Sequence, residues 1–335
     1  MGTIRLLLAL SVVAGHIGHP WLRGASGTAA VQAFFVISGF YIAMALDSSY
    51  RASTTSFWAN RALRIYPTYL FVAAIALAFR LVTDPAFLPG LAALPGGAQL
   101  LLWASNAALF GQDWVMFLGV NAGQLTPVAD FKNSQPELWT FLLVPPAWSL
   151  GVELSFYLLA PFLLRLRTSA LIAIIVGCLL VRGALAFAGL YKDPWNYRFF
   201  PNELALFLIG SVACRVMNWW RVARPADFSF GRAAIWCIAA FIMVYAVVPL
   251  PEIVKRSMLL ASVIAALPLI FQHSKNSKLD RFVGDLSYPL YISHWLVLEV
   301  LTLNFGSPSS LQAGLLYSGA CVAAAAALCF AIDLP

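Results

Sequence analysis

Apolar runs recur along this chain at roughly 4–22, 29–46, 65–82, 148–164, 168–188, 201–217, 233–250, 257–272, 285–304 and 311–332, matching the ~17–25 residues of a bilayer-spanning helix. Inside hydrocarbon each backbone N–H and C=O must find a partner in protein, which leaves helices and closed barrels. Barrel strands alternate in polarity over about ten residues, and these runs do not alternate. The expected fold class is an all-α membrane protein, a polytopic helical bundle of about ten transmembrane helices in one domain over residues 1–335. Composition agrees: 10% of the residues are charged and the mean hydropathy is +0.82, where a soluble domain carries about a quarter charged.

The basic residues set the orientation. Arg5, Arg51, Arg61, Arg64, Arg165, Arg167, Arg215, Arg221, Arg224, Arg232, Lys275, Lys278 and Arg281 all fall on one side of the ten-span arrangement, which makes that side cytoplasmic and places both termini there. The third run then ends outside near Asp84, and the run after Trp148 must travel inward. An additional apolar stretch at 97–120 therefore makes no net crossing and is expected to be re-entrant or external. The external segment of about 65 residues, 83–147, is long enough to suggest a lid or an acceptor-binding surface.

A net charge of +7 spread over short loops reads as topology and excludes nucleic acid as a partner; the partner surface is the lipid bilayer. Five cysteines lie inside apolar runs without paired spacing, which favours packing over disulfides or a metal. No zinc-type His/Cys spacing, phosphate loop or Gly-x-Ser-x-Gly elbow is present, so no metal is expected. The first run lacks a cleavage site at a suitable place and is kept as a span.

Ionisable residues inside the runs are the functional candidates, because each costs about 2.5–3.5 kcal/mol at the bilayer centre. His16 follows Arg5 by eleven residues, about 16 Å and three turns of helix, so the two face a similar direction. Arg5 also serves as a positive-inside anchor. Arg61 and Arg64 stand at i and i+3 on a helix that Tyr66-Pro67 is expected to end, a pairing suited to phosphate as well as to topology. Glu153 lies in the outer part of its run with no basic residue one turn away, so its partner is expected from another helix. His294, about ten residues into its run, shares mid-membrane depth with His16, which suggests one polar cavity.

These clusters, in this order, resemble the acyltransferase 3 family of bacterial membrane O-acyltransferases. The matching residues are Arg5-x10-His16, Phe34-Phe35-Val36-Ile37-Ser38-Gly39-Phe40, Asn60-Arg61-Ala62-Leu63-Arg64-Ile65-Tyr66-Pro67, Trp148-Ser149-Leu150-x-x-Glu153 and Ser287-Tyr288-Pro289-x-Tyr291-x-x-His294. The resemblance implies transfer of an acyl group, usually acetyl, from cytoplasmic acyl-CoA to a hydroxyl of a surface polysaccharide or lipid-linked glycan. By the same resemblance Arg61 and Arg64, with Tyr66 beside them, contact the CoA phosphates, and His16 is catalytic. Histidine chemistry fits either a base that takes the hydroxyl proton or a group that transiently carries the acyl, with Arg5, His294 or Tyr288 as donors to the oxyanion and Glu153 among the catalytic group. The family commonly closes with Glu-x-Pro and a basic tail, where this chain has Asp333-Leu334-Pro335, and no fused external domain follows, so a stand-alone inner-membrane enzyme is expected. The rival reading is a proton-coupled transporter or flippase, for which an internal repeat would be the sign; none is found.

Overall fold

The computed structural model describes residues 1–223 and 230–333; Arg224, one of the topology-setting charges, and Leu334 and Pro335 at the chain's end lie outside the described residues. Its helices are α1 (Gly2–Ile17), α2 (Gly27–Asp47), α3 (Thr54–Thr83), α4 (Phe87–Ala92), α5 (Gly96–Ala108), α6 (Trp148–Leu163), α7 (Thr168–Phe187), α8 (Phe200–Ala223), α9 (Gly231–Val244), α10 (Glu252–Ser274), α11 (Lys278–Asp285), α12 (Ser287–Phe305) and α13 (Leu311–Leu328). A two-stranded antiparallel hairpin, β1 (Leu118–Asn121) and β2 (Gln124–Pro127), interrupts the helices. Among the described residues seven helices are long and apolar enough to cross a membrane, the signature of a multi-pass membrane protein. The other three expected crossings fall on α1, α6 and α9, helices of 16, 16 and 14 residues. At 1.5 Å per residue these reach only ~21–24 Å, against a hydrocarbon core of about 30 Å.

The chain divides into two compact units. The first comprises Met1–Phe57, Leu164–Leu171 and Leu206–Pro335. Helix α1 lies at its centre, packed against α2, α9, α11, α12 and α13. Its start is held by a side chain from far along the chain: the Asp280 carboxylate accepts the Gly2 and Thr3 backbone N–H groups at 2.8 and 2.9 Å and the Thr3 hydroxyl at 2.8 Å. A carboxylate there satisfies N–H groups that a helix start leaves open and sits at the positive end of the helix dipole. Gly2 is what lets α11 come this close, since a Cβ on it would stand 1.7 Å from the Asp280 carbonyl oxygen. Gly18, in the left-handed conformation at φ 79°, ends the helix one residue after Ile17. Midway, Ala9 and Val13 pack against Leu290, Cys321 and Ala325, so small residues set the spacing of α1, α12 and α13.

Helices α2 and α8 cross in the same way. A Cβ on Gly39 would lie 1.9 Å from the Phe207 carbonyl oxygen, and one on Gly210 would lie 1.9 Å from that of Val36. The Ser211 hydroxyl is 3.0 Å from the Gly39 carbonyl and 2.9 Å from the Phe207 carbonyl, and the Phe35 and Phe207 rings meet at 4.7 Å.

The second unit, Trp58–Leu163 and Ile172–Ala205, contains most of α3 and the long segment that follows it. Tyr66-Pro67 does not end α3 as the sequence suggested; the helix continues to Thr83 with Pro67 in its interior. Proline removes one i→i−4 bond, and a membrane helix tolerates that loss where neighbours satisfy the carbonyl. From Thr83 the chain turns back. Gln99 donates to the carbonyls of Ala92 and Leu94, and α5 then runs down α3 until the Tyr66 and Tyr69 hydroxyls donate to the carbonyls of Ala108 and Asn106, both at 2.6 Å. Those contacts lie about 20–25 Å along α3 from Thr83, a distance that the 13 residues of α5 nearly match. The stretch at 97–120 thus enters and reverses within the unit: Leu109 and Gly111 turn at positive φ before a short 3-10 helix leads into β1.

Asn106 pins the returning chain, donating to the Phe141 carbonyl at 3.1 Å and accepting from the Leu143 N–H at 2.9 Å. Gln112 closes the network by donating to the Tyr69 hydroxyl at 2.7 Å. Helix α6 begins at this level, where the Arg198 guanidinium sits 4.2 Å over the Trp148 ring and is held by two bonds to the Asp193 carboxylate. It runs antiparallel to α3, since Gly151 abuts Gln112 and Leu109, and the Tyr157 carbonyl accepts from Trp58 Nε1 at 3.0 Å.

Replacement of Gly39 by alanine places a methyl against a backbone oxygen and is expected to cost about 1–3 kcal/mol, the usual range for overpacking. The midpoint of thermal unfolding in detergent should fall for Gly39→Ala and stay unchanged for Gly319→Ala, a glycine with nothing within 4 Å of its Cβ position.

Candidate functional site

In the first unit, two histidines nearly 280 residues apart in sequence meet directly. His16 occupies the last turn of α1, because Gly18 stops the helix there. His16 Nδ1 lies 2.9 Å from His294 Nε2, and the rings stack at 5.0 Å between centroids. His294 is fully buried, and its Nδ1 is 2.7 Å from the Tyr291 carbonyl oxygen. A carbonyl can only accept, so His294 Nδ1 carries a proton. In the neutral ring Nε2 then holds the lone pair and accepts from His16 Nδ1–H. The partners thereby assign His16 the tautomer whose lone pair is on Nε2. His16 keeps accessible surface while His294 has none. The Trp295 ring stands edge-on to His16 at 5.3 Å, and its Nε1 is buried without a hydrogen-bond partner among the described residues.

Chemically this is an imidazole whose proton acceptor is fixed in direction by a second imidazole. Arg5 is on the same helix about three turns away, its Nη1 3.7 Å from the Cβ position of Gly284 on α11. Of the other two expected oxyanion donors, Tyr288 lies on α12 in the turn preceding the buried Tyr291–His294 stretch, and His294 has both ring nitrogens engaged, with Tyr291 and His16.

The second unit carries the remaining candidates. Arg61 and Arg64 are on one face of α3, with Arg64 exposed. Arg61 Nη2 donates to Asn60 Oδ1 at 2.6 Å, and its Nε is buried without a hydrogen bond among the described residues. The Tyr66 hydroxyl is occupied by the Ala108 carbonyl. Glu153 accepts from Tyr157, one turn further along its own helix. The Tyr157 hydroxyl, at i+4 on the same helix, carries no charge and so leaves no mark in a search for ion pairs. With Tyr157 beside Trp58, Glu153 stands about 6 Å back along α6, level with the Arg61–Arg64 stretch of α3.

An intramembrane ion pair also went unremarked in the sequence: Arg182 Nη2 to Glu203 Oε1 at 2.8 Å, with Glu203 fully buried. The signal was present, since both are ionisable residues within apolar runs. No group of three or more His, Cys, Asp or Glu side chains that could hold a metal ion occurs among the described residues.

The family model for an acyltransferase domain matches residues 2–334. The exopolysaccharide production protein ExoZ of Rhizobium meliloti (strain 1021) is 26% identical over 322 residues, covering 92% of this chain and 89% of that protein. The O-acetyltransferase OatA of Staphylococcus aureus (strain NCTC 8325 / PS 47) is 28% identical over 167 residues, 48% of this chain and 24% of OatA. The match thus spans about a quarter of the OatA length. An uncharacterized protein of Aquifex aeolicus (strain VF5) is 26% identical over 181 residues, 51% of this chain and 78% of that one. No solved structure matches. Helical, multi-pass, and covered by the family model from residue 2 to residue 334, the chain belongs to the acyltransferase 3 family.

Proposed function

We propose that the protein is an O-acyltransferase that moves an acyl group, acetyl in the simplest case, from acyl-CoA to a hydroxyl of a cell-surface polysaccharide or lipid-linked glycan. The observation that carries this reading is the hydrogen-bonded sequence Tyr291 carbonyl, His294, His16, which leaves the His16 Nε2 lone pair as the group that takes a proton. Similarity to ExoZ over nearly the whole chain supports the polysaccharide as acceptor, and similarity to OatA supports acetyl as the transferred group.

The steps follow from that tautomer. The acceptor hydroxyl gives its proton to His16 Nε2 as its oxygen bonds to the thioester carbonyl carbon. Collapse of the tetrahedral intermediate breaks the C–S bond, and the leaving thiolate takes the proton back from His16. His294 accepts the hydrogen bond from His16 Nδ1–H throughout and steadies the imidazolium between the two transfers, in the manner of the third member of a triad. Arg61 and Arg64 bind the phosphates of CoA by charge-assisted hydrogen bonds. The enzyme resides in the bacterial inner membrane with ten crossings and both termini in the cytoplasm, α1, α6 and α9 being short crossings, and the segment 83–147 meets the acceptor.

Transfer of radiolabelled acetyl from acetyl-CoA to glycan in membranes is the direct test. His16→Ala is expected to abolish transfer, lowering kcat by about 10²–10⁴. His294→Ala should lower kcat with little change in KM, and His294→Gln, whose side-chain oxygen accepts near the position of Nε2, should recover part of it. Glycan flux through His16→Ala membranes at the wild-type rate, without thioester cleavage by the wild type, would identify a carrier instead. Arg61→Ala and Arg64→Ala should each raise KM for acyl-CoA by about 10–100-fold, the loss of one hydrogen bond to a charged group; an unchanged KM places the donor elsewhere.

A further inference from the structure

Helix α11 turns two different faces to its surroundings. Its inner face is spent on α1: Asp280 accepts the Gly2 and Thr3 N–H groups, and Gly284 lies against Gly2, with 2.7 Å between its Cβ position and Gly2 Cα. The opposite face has no such cover. Lys278 and Arg281, at i and i+3, are exposed, and Lys275 stands three residues before them. Arg281 Nη2 lies 3.4 Å from the Lys275 carbonyl, which draws its guanidinium toward the helix start, and Lys275 Nζ reaches Gln272 Oε1 at 2.7 Å. Beside the cations is an apolar strip: Leu279 is 72% exposed, and Phe282 packs on the exposed Phe330 ring at 5.8 Å.

We propose that this outer face of α11 is a binding site for an anionic phospholipid, the phosphate of its headgroup on Lys278, Arg281 and Lys275 and its acyl chains along Leu279, Phe282 and Phe330. A short helix with an apolar strip and adjacent cations lies in the plane of a membrane interface, and each cation near an anionic surface strengthens binding there. Asp280, between Lys278 and Arg281 in sequence, does not oppose this, because it is engaged on the inner side of the helix. The apolar strip selects a lipid over a soluble phosphate, since phosphate alone has no use for Leu279, Phe282 and Phe330. Because the same eight residues grip the first turn of α1, lipid on the outer face steadies the helix that carries His16. This inference stands whatever reaction the histidines perform.

The test uses the full chain in nanodiscs of phosphatidylcholine alone or in an equal mixture with phosphatidylglycerol. Native mass spectrometry of the protein released from the mixture should find phosphatidylglycerol retained in preference, by about five-fold for each cation that contributes. K278Q/R281Q should lose that preference, and the charge-preserving K278R/R281K should keep it. Raising sodium chloride over the unmodified protein should weaken it, a measurement that needs no variant. Amide exchange at Gly2 and Thr3 should be slower in the mixed discs than in phosphatidylcholine. Equal retention of both lipids by the unmodified protein overturns the proposal, as does displacement of phosphatidylglycerol by coenzyme A, which would assign the surface to a soluble phosphate donor.

Discussion

A hydrogen bond between two imidazoles needs one ring to give and the other to receive, and inside an apolar bundle the assignment must be made by something else. Here it is made by a backbone carbonyl. The Tyr291 carbonyl accepts a hydrogen bond from His294 Nδ1–H, His294 Nε2 accepts one from His16 Nδ1–H, and the outermost ring is left with its acceptor nitrogen in one place. Much of the first unit can be understood as holding that geometry. α1 is capped at one end by Asp280 and stopped at the other by Gly18, so the axial position of His16 is fixed at both ends. Lateral position comes from alanines and a cysteine at the contact with α12 and α13.

Water contributes nothing to helix association once the helices are in lipid, so close approach and satisfied polar groups carry the packing. The glycines at 2, 39 and 210 let backbones come near enough for carbonyl oxygens to lie where side chains otherwise stand. In the second unit tyrosines play the corresponding part. Tyr66 and Tyr69 supply hydroxyls to carbonyls that the end of α5 leaves open, and Asn106 and Gln112 tie the rest of the segment to them.

Much of this was legible in the sequence, and the limits have physical reasons. Hydropathy marks where helices are, so the runs were readable, including the stretch at 97–120 that folds back along α3. Scarcity was informative too: with four histidines in the chain, two at similar depth suggested a common cavity, and His16 and His294 do touch. Hydropathy alone does not give a helix's length, which is why the run at 4–22 became a helix that ends at Ile17, before Gly18. Proline statistics come from water-soluble helices, so Pro67 was read as a stop. Hydroxyl partners such as Tyr157 leave no charge pattern to search for, and the Asp280 cap joins residues whose separation along the chain hides it.

The descent of α5 beside α3 bears on how the chain is made. A 13-residue helix followed by Gln112 and Asp113 is too short and too polar to leave the translocation machinery sideways into lipid by itself. It can settle only once α3 offers Tyr66 and Tyr69 as docking points and α6 packs its Gly151 against the turn that follows it, so this part of the fold is completed after synthesis has passed residue 163. Formation of the second unit is then a two-stage event, the long helices first and the docking of the segment between them second.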